Sequence, residues 1–302
     1  MDKHALHQDK TVHPGHSDGH ADDQSGLARR PRPEPAGPGP NRARAYLRLF
    51  ATAFRSNLAA AMEYRVNFLV QVFGMVLNNA SFVVFWMVLF DRAGSIGGYG
   101  FRDVMFLWAI TATAFGIAHI VFGNVRGLAE IIKQGDLDVY LLQPKDVLFN
   151  ALTAKTIVAA WGDLGYGLVL FACLGSDPTG WAAFLLFSLT GAIVLSGIFV
   201  IGESLTFITG GAEGLGQSMA ELLLSFSLYP EKVFPEGMRW IFYSLIPSGF
   251  IVFLPLSFWQ QPQWPVLLLA CGAALVYGAG AWLVFQAGLR RYESGNRMGA
   301  RT

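Results

Sequence analysis

Apolar residues in this chain form long runs that short polar segments separate. Residues 66–90 contain no charged side chain, and neither do residues 265–289. Each run holds 25 residues, and a helix of about 20 residues crosses the ~30 Å hydrocarbon core of a bilayer. The pattern predicts an all-α membrane protein with six transmembrane helices, at about residues 66–90, 104–122, 149–173, 181–208, 214–229 and 265–289.

A different pattern precedes the first of these helices. Over residues 43–62, Leu47 and Phe54 recur at helical spacing, and Arg44 and Arg48 lie on a neighbouring face. Aromatic and aliphatic side chains of such a helix can lie at the acyl boundary while its arginines meet anionic headgroups. We therefore predict an N-terminal interfacial helix at residues 43–62.

The apolar segment 238–259 is interrupted by Pro247, Gly249 and Pro255. Broken backbone at membrane depth is tolerated only where protein covers it or where it lines a wet cavity. One map therefore treats this segment as a re-entrant outer hairpin and uses the weakly apolar residues 214–229 as the fifth span. A competing map makes 238–259 the fifth span and leaves residues 210–237 as a cytoplasmic loop.

Basic residues near the spans predict the orientation of the chain. The first map places ten of them on the cytoplasmic side and four outside, and the competing map places twelve and two. Cytoplasmic loops of membrane proteins carry the excess of Lys and Arg. Both maps therefore predict six spans with both termini in the cytoplasm, and the charge count slightly favours the competing one.

The composition excludes an ordinary water-soluble domain. Hydrophobic residues make up 53% of the chain and charged residues 14%, whereas soluble domains average about 25% charged residues. The net charge of +1, with no basic patch that alternates with aromatics, does not indicate a nucleic-acid partner. Cys173 and Cys271 lie in apolar segments and are expected to act as small hydrophobic residues.

Polar tails are predicted at both ends of the chain. Residues 1–42 lack the apolar side chains needed for a core, so we expect a disordered cytoplasmic tail and no cleavable signal peptide. Five of the six histidines lie there, which would allow weak metal binding, although a solvated tail is the favoured interpretation. Residues 296–302 are predicted to form a short cytoplasmic tail.

Motifs of known catalytic sites are absent from the sequence. It contains no Gly-x-x-x-x-Gly-Lys-Ser/Thr phosphate loop, no Gly-x-Ser-x-Gly elbow and no His-Glu-x-x-His pair. His119 is the only histidine of the membrane region. We therefore predict no catalytic or metal-binding residue and no cofactor bound by this chain, although an intramembrane enzyme is not excluded.

The loop at residues 123–148 is the most distinctive polar segment. A helix is predicted from Val125 to Gln134, ending at Gly135 as helices often end at glycine. The loop carries more apolar side chains than a solvated segment needs, so it is expected to pack against a partner or against the protein's own helix ends. The residues singled out are Leu128, Ile131, Ile132, Gly135, Leu137, Asp138, Leu141, Leu142 and Pro144.

Three acidic residues fall inside predicted spans: Asp163, Glu203 and Glu221. Charges at membrane depth are costly and usually face a bundle interior or water. They are interpreted either as the lining of a substrate path or proton-sensitive gate, or as hydrogen-bonding groups between helices. The residues expected to mark simple helix contacts are Asn78, Asn79, Ala270, Ala274 and Gly278.

The 123–148 loop resembles permease subunits of ABC-2 type transporters, particularly a largely uncharacterised bacterial branch, in the pattern Gly135-x-Leu137-Asp138-x-Tyr140-Leu141-Leu142-x-Pro144. A second match resembles the outer hairpin that these permeases carry between their fifth and sixth spans. It consists of Tyr229, Pro230, Phe234, Pro235, Ile246, Pro247 and Pro255. The resemblance covers residues 43–295 and favours the first of the two maps.

The resemblance implies a transport function in the bacterial cytoplasmic membrane. The 123–148 loop would contain the coupling helix that docks on a separate ABC ATPase subunit, which would bind ATP and Mg²⁺. A second copy of the chain or a sister permease would complete the translocation path of an exporter. The alternative is an ion-coupled carrier or channel in which Asp163 and Glu203 bind the cation.

Overall fold

A computed structural model describes the chain over residues 41–143, 145–210 and 214–292. These residues form α-helices joined by short 3₁₀ and π-helical turns, and they contain no β-strand beyond one isolated bridge between Ile96 and Tyr99. Pro144, the predicted tail at 296–302 and all but the last two residues of the predicted tail at 1–42 lie outside the described residues.

The helices of the described residues follow the apolar runs of the sequence. They are α1 (Asn41–Glu63), α2 (Arg65–Ala93), α3 (Phe101–Val121), α4 (Leu128–Gln134), α5 (Leu137–Leu141), α6 (Val147–Thr153), α7 (Ala160–Cys173), α8 (Pro178–Ser204), α9 (Thr206–Thr209), α10 (Leu215–Ser227), α11 (Arg239–Phe242), α12 (Leu254–Gln260) and α13 (Trp264–Leu289). Within the described ranges, four stretches have the length and composition to cross a membrane: α2, α3, α8 with α9, and α13. They correspond to the predicted spans 66–90, 104–122, 181–208 and 265–289.

The structure divides the third predicted span, 149–173, into two helices. α6 ends at Thr153 and α7 begins at Ala160. In the break, the Ile157 amide donates to the His119 carbonyl oxygen over 3.1 Å. Gly123 permits this approach, because a Cβ atom there would lie 2.8 Å from the Ile157 amide nitrogen. The His119 carbonyl oxygen near the end of α3 thus pairs with a backbone amide that lies outside α6 and α7.

The region of the two competing maps is built from short helices. α10 has 13 residues, fewer than the about 20 needed to cross a bilayer as a straight helix. The segment 238–259 contains α11, a π-helical turn at Gly249–Phe253 and α12. Its helix is interrupted before Pro247, as predicted, whereas Gly249 and Pro255, also predicted to interrupt it, lie in one continuous helix, Gly249–Gln260. Its insertion as a hairpin, and the number of six spans, stay predictions.

The centre of the helix bundle is formed by α3 and α8. α3 packs against α7 and α8, α8 packs also against α10 and α13, and α2 packs mainly against α7. Aromatic rings fill one part of this core: Phe171 stacks on Phe184 with ring centroids 3.8 Å apart, and Phe106 stacks on Trp259 at 5.1 Å. Gly167 keeps α7 close to α3, because a Cβ atom there would lie 2.7 Å from the Ala109 carbonyl oxygen.

Contacts between distant segments define the two ends of the bundle. At one end, the turn between α2 and α3 meets the residues that follow α10. The Lys232 ammonium lies 5.4 Å from the centre of the Tyr99 ring, and the rings of Trp86 and Tyr229 are 6.0 Å apart. At the other end, the Asn124 amide donates to a carbonyl oxygen of α6, so the 123–148 loop lies there. α10 therefore connects the two ends.

Candidate functional site: the 123–148 loop and a polar cluster beside it

The first half of the 123–148 loop is packed into the protein. A 3₁₀ turn at Gly123–Gly127 leads into α4, which ends at Gly135. Gly135 has a φ of 83°, a left-handed conformation that favours glycine, as the sequence predicts. Leu128 and Leu137 are completely buried and Ile132 is 3% exposed. These apolar residues therefore form part of the protein's own core.

The second half of the loop exposes apolar side chains. Leu142 is 88% exposed, Val139 62% and Leu141 45%. These three residues, which we call the apolar tip, lie in and just after α5. Ile131 in the first half and Asp138 in the second half are half-buried. Packing on the protein's own helices thus accounts for part of the predicted set of loop residues. The apolar tip is available to contact another surface. Val139 was not among the predicted residues, although it lies between Asp138 and Tyr140.

The loop is tied to α6 and α13. Asp146 caps α6 by accepting a hydrogen bond from the Phe149 amide over 2.9 Å, and its other carboxylate oxygen accepts one from the Trp282 indole over 3.0 Å. Burial and the neighbouring Asp138 carboxylate raise the pKa of the Tyr292 hydroxyl to about 12. The apolar tip is therefore carried by a segment that contacts the short helix α6 and the long helix α13.

Glu203 lies at the junction of the loop with α8 and α10. The residue is 1% exposed, and its carboxylate accepts a hydrogen bond from the Gln217 amide over 3.2 Å. The amides of Gly216 and of Ala129 in α4 also face it. The first amides of a helix lack intrahelical partners and carry partial positive charge. Glu203 therefore caps α10 and contacts α4, while its second carboxylate oxygen, Oε2, is buried without a hydrogen-bond partner among the described residues.

Asp163 is also buried, on α7. The Asn79 side chain of α2 donates a hydrogen bond to one of its carboxylate oxygens over 2.7 Å. The two helices are close here, because a Cβ atom on Gly162 would lie 2.5 Å from the Val72 carbonyl oxygen. Asn79, predicted to mark a helix contact, is thus the partner of Asp163. The predicted contact residues Ala270 and Ala274 of α13 are buried as well.

The sequence indicates Arg126 only as one of the basic residues near the spans, whereas the structure gives it specific contacts. Its guanidinium donates to Nε2 of the fully buried His119 over 3.2 Å, and Nδ1 of His119 lies 3.1 Å from the Phe115 carbonyl oxygen. Because Nε2 accepts, Nδ1 is the protonated nitrogen of a neutral imidazole. The guanidinium also lies over the rings of Phe115 and Phe199, at 5.6 and 5.9 Å.

Arg126 is within electrostatic range of two of the three predicted acidic residues. Burial lowers the pKa of its guanidinium below the ordinary arginine value, and the carboxylates of Glu221 and Asp163 oppose that shift. Glu221 is exposed on α10 and accepts a hydrogen bond from the Gln217 side chain over 2.7 Å. Arg126, Asp163 and Glu221 therefore form a polar cluster that acts through longer-range attraction, since among the described residues no ion pair within 4 Å joins Arg126 to either acid. In the sequence, the contact between Arg126 and His119 is indicated only by their spacing of seven residues.

The predicted outer-hairpin residues lie at turns between short helices and beside a cavity. Pro230 and Pro235 each precede a 3₁₀ turn, and Pro255 lies in the first turn of α12. Tyr229 contacts Trp86, as described above. A cavity of about 1080 Å³ opens beside this region and is lined by aromatic and charged residues: Glu231, Lys232, Phe234, Pro235, Glu236, Gly237, Arg239, Trp240, Phe242, Tyr243, Leu254 and Leu269.

A second cavity lies beside the loop. It has a volume of about 460 Å³ and is enclosed mainly by apolar side chains of α6, α8 and α13, among them Leu152, Val200 and Ala281. Over residues 41–143, 145–210 and 214–292, no three His, Cys, Asp or Glu side chains are grouped so that they could hold a metal ion.

These features define the class of the protein, an integral membrane protein of helices that exposes an apolar loop at one end. Comparison with known families agrees and is more specific. The family model described as an ABC-2 family transporter protein matches residues 76–296. The chain belongs to this family and is the membrane component of an ABC transporter. No curated protein and no solved structure matches it.

Proposed function

We propose that this chain is the permease subunit of an ATP-driven exporter, working with a separate ATPase subunit and a second permease, either another copy or a sister chain. The observation that carries the proposal is the apolar tip. Val139, Leu141 and Leu142 expose apolar surface on a loop whose other described apolar residues are buried or half-buried. Clustered apolar side chains on an otherwise polar surface are typical of protein interfaces.

The tip is suited to receive force as well as to bind. The loop behind it is held by Asp146 to α6 and α13, and α4 contacts Glu203, which caps α10. An ATPase that closes on ATP would move the tip, and this set of contacts would pass the movement to the spanning helices. ATP and Mg²⁺ are assigned to the partner because the sequence has no phosphate loop.

The polar cluster supports a path for the transported molecule. Arg126 is within electrostatic range of the Asp163 carboxylate on α7 and the Glu221 carboxylate on α10, so charges from separate helices lie near one region beside the loop. At the opposite end of the bundle, the rings of Trp86 and Tyr229 join α2 to the residues after α10. We propose that cargo enters near Arg126 and that the Trp86–Tyr229 contact separates before it leaves.

We also propose the first of the two membrane maps, with six spans and 238–259 as an outer hairpin. It is supported by Lys232 and Tyr229, which contact the turn between α2 and α3 and the end of α2. On the competing map, these residues would lie on the same side as the 123–148 loop. The excess of basic residues around that loop and near the chain ends supports both termini inside. We place the protein in a bacterial cytoplasmic membrane, as the resemblance implies.

Capture of the ATPase tests the docking role. The chain would be co-expressed with the ABC ATPase encoded nearest to it, and co-purification would be measured for wild type, Val139→Asp and Leu142→Asp. A buried charge in an apolar interface is strongly unfavourable, so both variants are expected to lose most of the captured ATPase. Gln143→Asp, which adds the same charge to a neighbouring exposed residue without removing apolar surface, is the control.

The choice of variants follows the observed orientation of the side chains. Leu137→Asp would place a charge in the protein's own core and would report on folding, because Leu137 is fully buried. Undiminished capture of the ATPase by Leu142→Asp and Val139→Asp, with normal protein yield, would contradict docking at the tip. Equal loss with Gln143→Asp would indicate a general effect of charge.

A further inference from the structure

The cavity beside the 123–148 loop has the dimensions of a ligand site. Its volume of about 460 Å³ falls within the ~300–1,000 Å³ that small-molecule sites occupy. The wall that α8 provides is a single helix face, with residues at helical spacing: Ile193, Ser196, Gly197 and Val200. This face extends over about 10 Å of helix, so the cavity can hold an elongated apolar molecule.

Small residues keep this space open. α8 and α13 meet at Gly197, where a Cβ atom would lie 2.9 Å from the Tyr277 carbonyl oxygen. Beside this contact, Gly278 and Ala281 of α13 line the cavity. A Cβ atom on Gly278 would meet only the Ile193 side chain within 4 Å, at 3.3 Å. The backbones are therefore in contact, and the absence of large side chains next to the contact leaves room for another molecule.

Asp146 brings a negative charge to one end of the cavity. It is the single charged side chain in the lining formed by the described residues. Its carboxylate accepts hydrogen bonds from the Phe149 amide and the Trp282 indole. Trp282 belongs to α13 and Asp146 caps α6, so their hydrogen bond joins two walls of the cavity at the end next to the loop.

Ser196 is the second polar group of the lining. It is 5% exposed, and its hydroxyl is buried without a hydrogen-bond partner among the described residues. Other buried hydroxyls of the bundle bond to their own helix: Thr190 donates to the Phe187 carbonyl oxygen and Ser227 to the Leu223 carbonyl oxygen. A buried water needs about two to four polar partners. A ligand that carries an oxygen atom would satisfy this hydroxyl within otherwise apolar surroundings.

We propose that this cavity binds an amphipathic organic cation. Its hydrocarbon part fills the space between α6, α8 and α13, its ammonium group lies beside Asp146, and an oxygen within its apolar part accepts a hydrogen bond from Ser196. An anionic amphiphile would place like charge beside the carboxylate. The inference goes beyond the proposed function, because binding requires neither the ATPase nor a second permease.

The occupant is a free molecule rather than a membrane phospholipid. A phosphatidylethanolamine would bring its phosphate as well as its ammonium group to the carboxylate of Asp146, and like charges at close range repel. It would also bring two acyl chains, whereas the α8 wall of the cavity is a single helix face. Both arguments favour a cation with one apolar chain or a compact ring system.

Binding of a long-chain amine tests the charge. The full chain would be placed in phosphatidylcholine nanodiscs, and capture of radiolabelled tetradecylamine would be measured by scintillation proximity, with empty nanodiscs as the blank. Asp146→Asn keeps an oxygen that can cap α6 and is expected to weaken binding about tenfold, because a hydrogen bond to a charged group is lost. Asp177→Asn is the matched control, since Asp177 caps α8 by accepting from the Gly180 amide over 2.9 Å but lies outside this lining. It should bind as wild type does.

A steric variant locates the ligand. Gly278→Leu extends a side chain into the cavity and is expected to lower binding of tetradecylamine at least tenfold. Gly280→Leu is the control on the same helix, because a Cβ atom there meets no atom of the chain within 4 Å and Gly280 is not part of the lining. Thermal unfolding of the ligand-free variants in nanodiscs would confirm that both are folded, and the Asp146→Asn comparison stands if either is not.

Ser196 is tested with a matched pair of probes. 3-(Decyloxy)propylamine has the chain length of tetradecylamine and contains one ether oxygen. Wild type is expected to bind the ether about fivefold better, relative to tetradecylamine, than Ser196→Ala does, because one hydrogen bond is made only in wild type. The ratio within each protein cancels the different partitioning of the two amines into the bilayer. The same ratio in both proteins would refute the contact with Ser196.

Several outcomes would overturn the proposal. Competition by tetradecanoate as strong as that by unlabelled tetradecylamine would mean that charge is not recognised, and unchanged binding in Gly278→Leu would place the amine outside the cavity. Displacement of the amine when phosphatidylethanolamine is added to the nanodiscs would identify the lipid as the occupant. Binding without capture of the ATPase refutes only the docking of the ATPase, and capture without binding refutes this site alone.

Discussion

Helices α2 and α3 follow one another in the chain and have the same mean hydropathy, 1.9, over their most apolar 18 residues. In α3, 83% of those residues are buried within the protein, against 11% in α2. Equal tendencies to enter a membrane therefore lead to opposite environments: α3 is surrounded by protein, and α2 borders the bundle.

The difference lies in the size and order of the side chains. α3 places Thr113 and Gly116 where α7 comes closest, and Gly167 of α7 completes the contact. α2 carries large side chains over most of its circumference and makes one close approach, to Gly162. Hydropathy measures transfer from water into the bilayer, whereas packing in the bilayer depends on how near two backbones can come.

The largest expected difference between the two helices concerns their phenylalanines. Phe106 of α3 is 2% exposed and contacts Phe171 and Trp259. Phe106→Ala is expected to destabilise the protein by about 3 to 5 kcal/mol through the cavity it leaves. Phe73→Ala in α2, 67% exposed, is expected to cost less than about 0.5 kcal/mol. Thermal unfolding in detergent measures both, and similar shifts in the two variants would contradict the assigned environments.

A smaller loss is expected where α2 does enter the core. Asn79→Leu removes the donor that Asp163 accepts from and should destabilise the protein by about 2 to 3 kcal/mol, because a buried carboxylate keeps its desolvation cost without the hydrogen bond. The double variant Asn79→Leu, Asp163→Leu is expected to recover part of that stability. A double variant less stable than Asn79→Leu would show that Asp163 has other stabilising partners.

Two arginines give the next comparison, one in the 3₁₀ turn after α3 and one in the last turn of α2. Arg126→Leu leaves Nε2 of the buried His119 without its donor and should cost about 1 to 2 kcal/mol. Arg92 is exposed in the last turn of α2, and Arg92→Leu should cost less than about 0.5 kcal/mol. Unfolding temperatures of the detergent-solubilised variants check this ranking, and a larger loss with Arg92→Leu would reverse it.

The smallest effect is expected at the residue next to Asn79. Asn78→Leu should change the stability of the isolated monomer by less than about 0.5 kcal/mol, because its side chain is exposed and makes no contact that Leu would break. The monomer would be isolated in excess detergent and compared with Asn79→Leu. An equal loss in both variants would place Asn78 inside the monomer and contradict the exposed position of its side chain.

Features that depend on local sequence agree with the structure. The long charge-free runs at α2 and α13 form helices, Gly135 ends α4, and Pro247 accompanies an interruption of the helix, although Pro255 does not. Each of these follows from a run of neighbouring residues, since helix length, the left-handed glycine and the proline ring act within a few positions.

Features that depend on distant residues could not be predicted. The break in the third span becomes favourable because the His119 carbonyl oxygen accepts from Ile157, a contact between segments about 40 residues apart in sequence. In the 123–148 loop, Leu137 and Leu142 are alike in the sequence and opposite in the structure, one buried and one 88% exposed. The two leucines differ in burial because of the way α5 packs against the ends of the neighbouring helices.

The sequence by itself determined that this is a helical membrane protein of the ABC-2 transporter family, because apolar run length and short turn motifs are local properties. The tertiary structure decided which of two equally apolar helices is buried, which acids share Arg126, and which leucines of the loop point outward. The physical reason is that close helix packing and buried hydrogen bonds depend on the shape and polarity of surfaces that the chain brings together only when it folds.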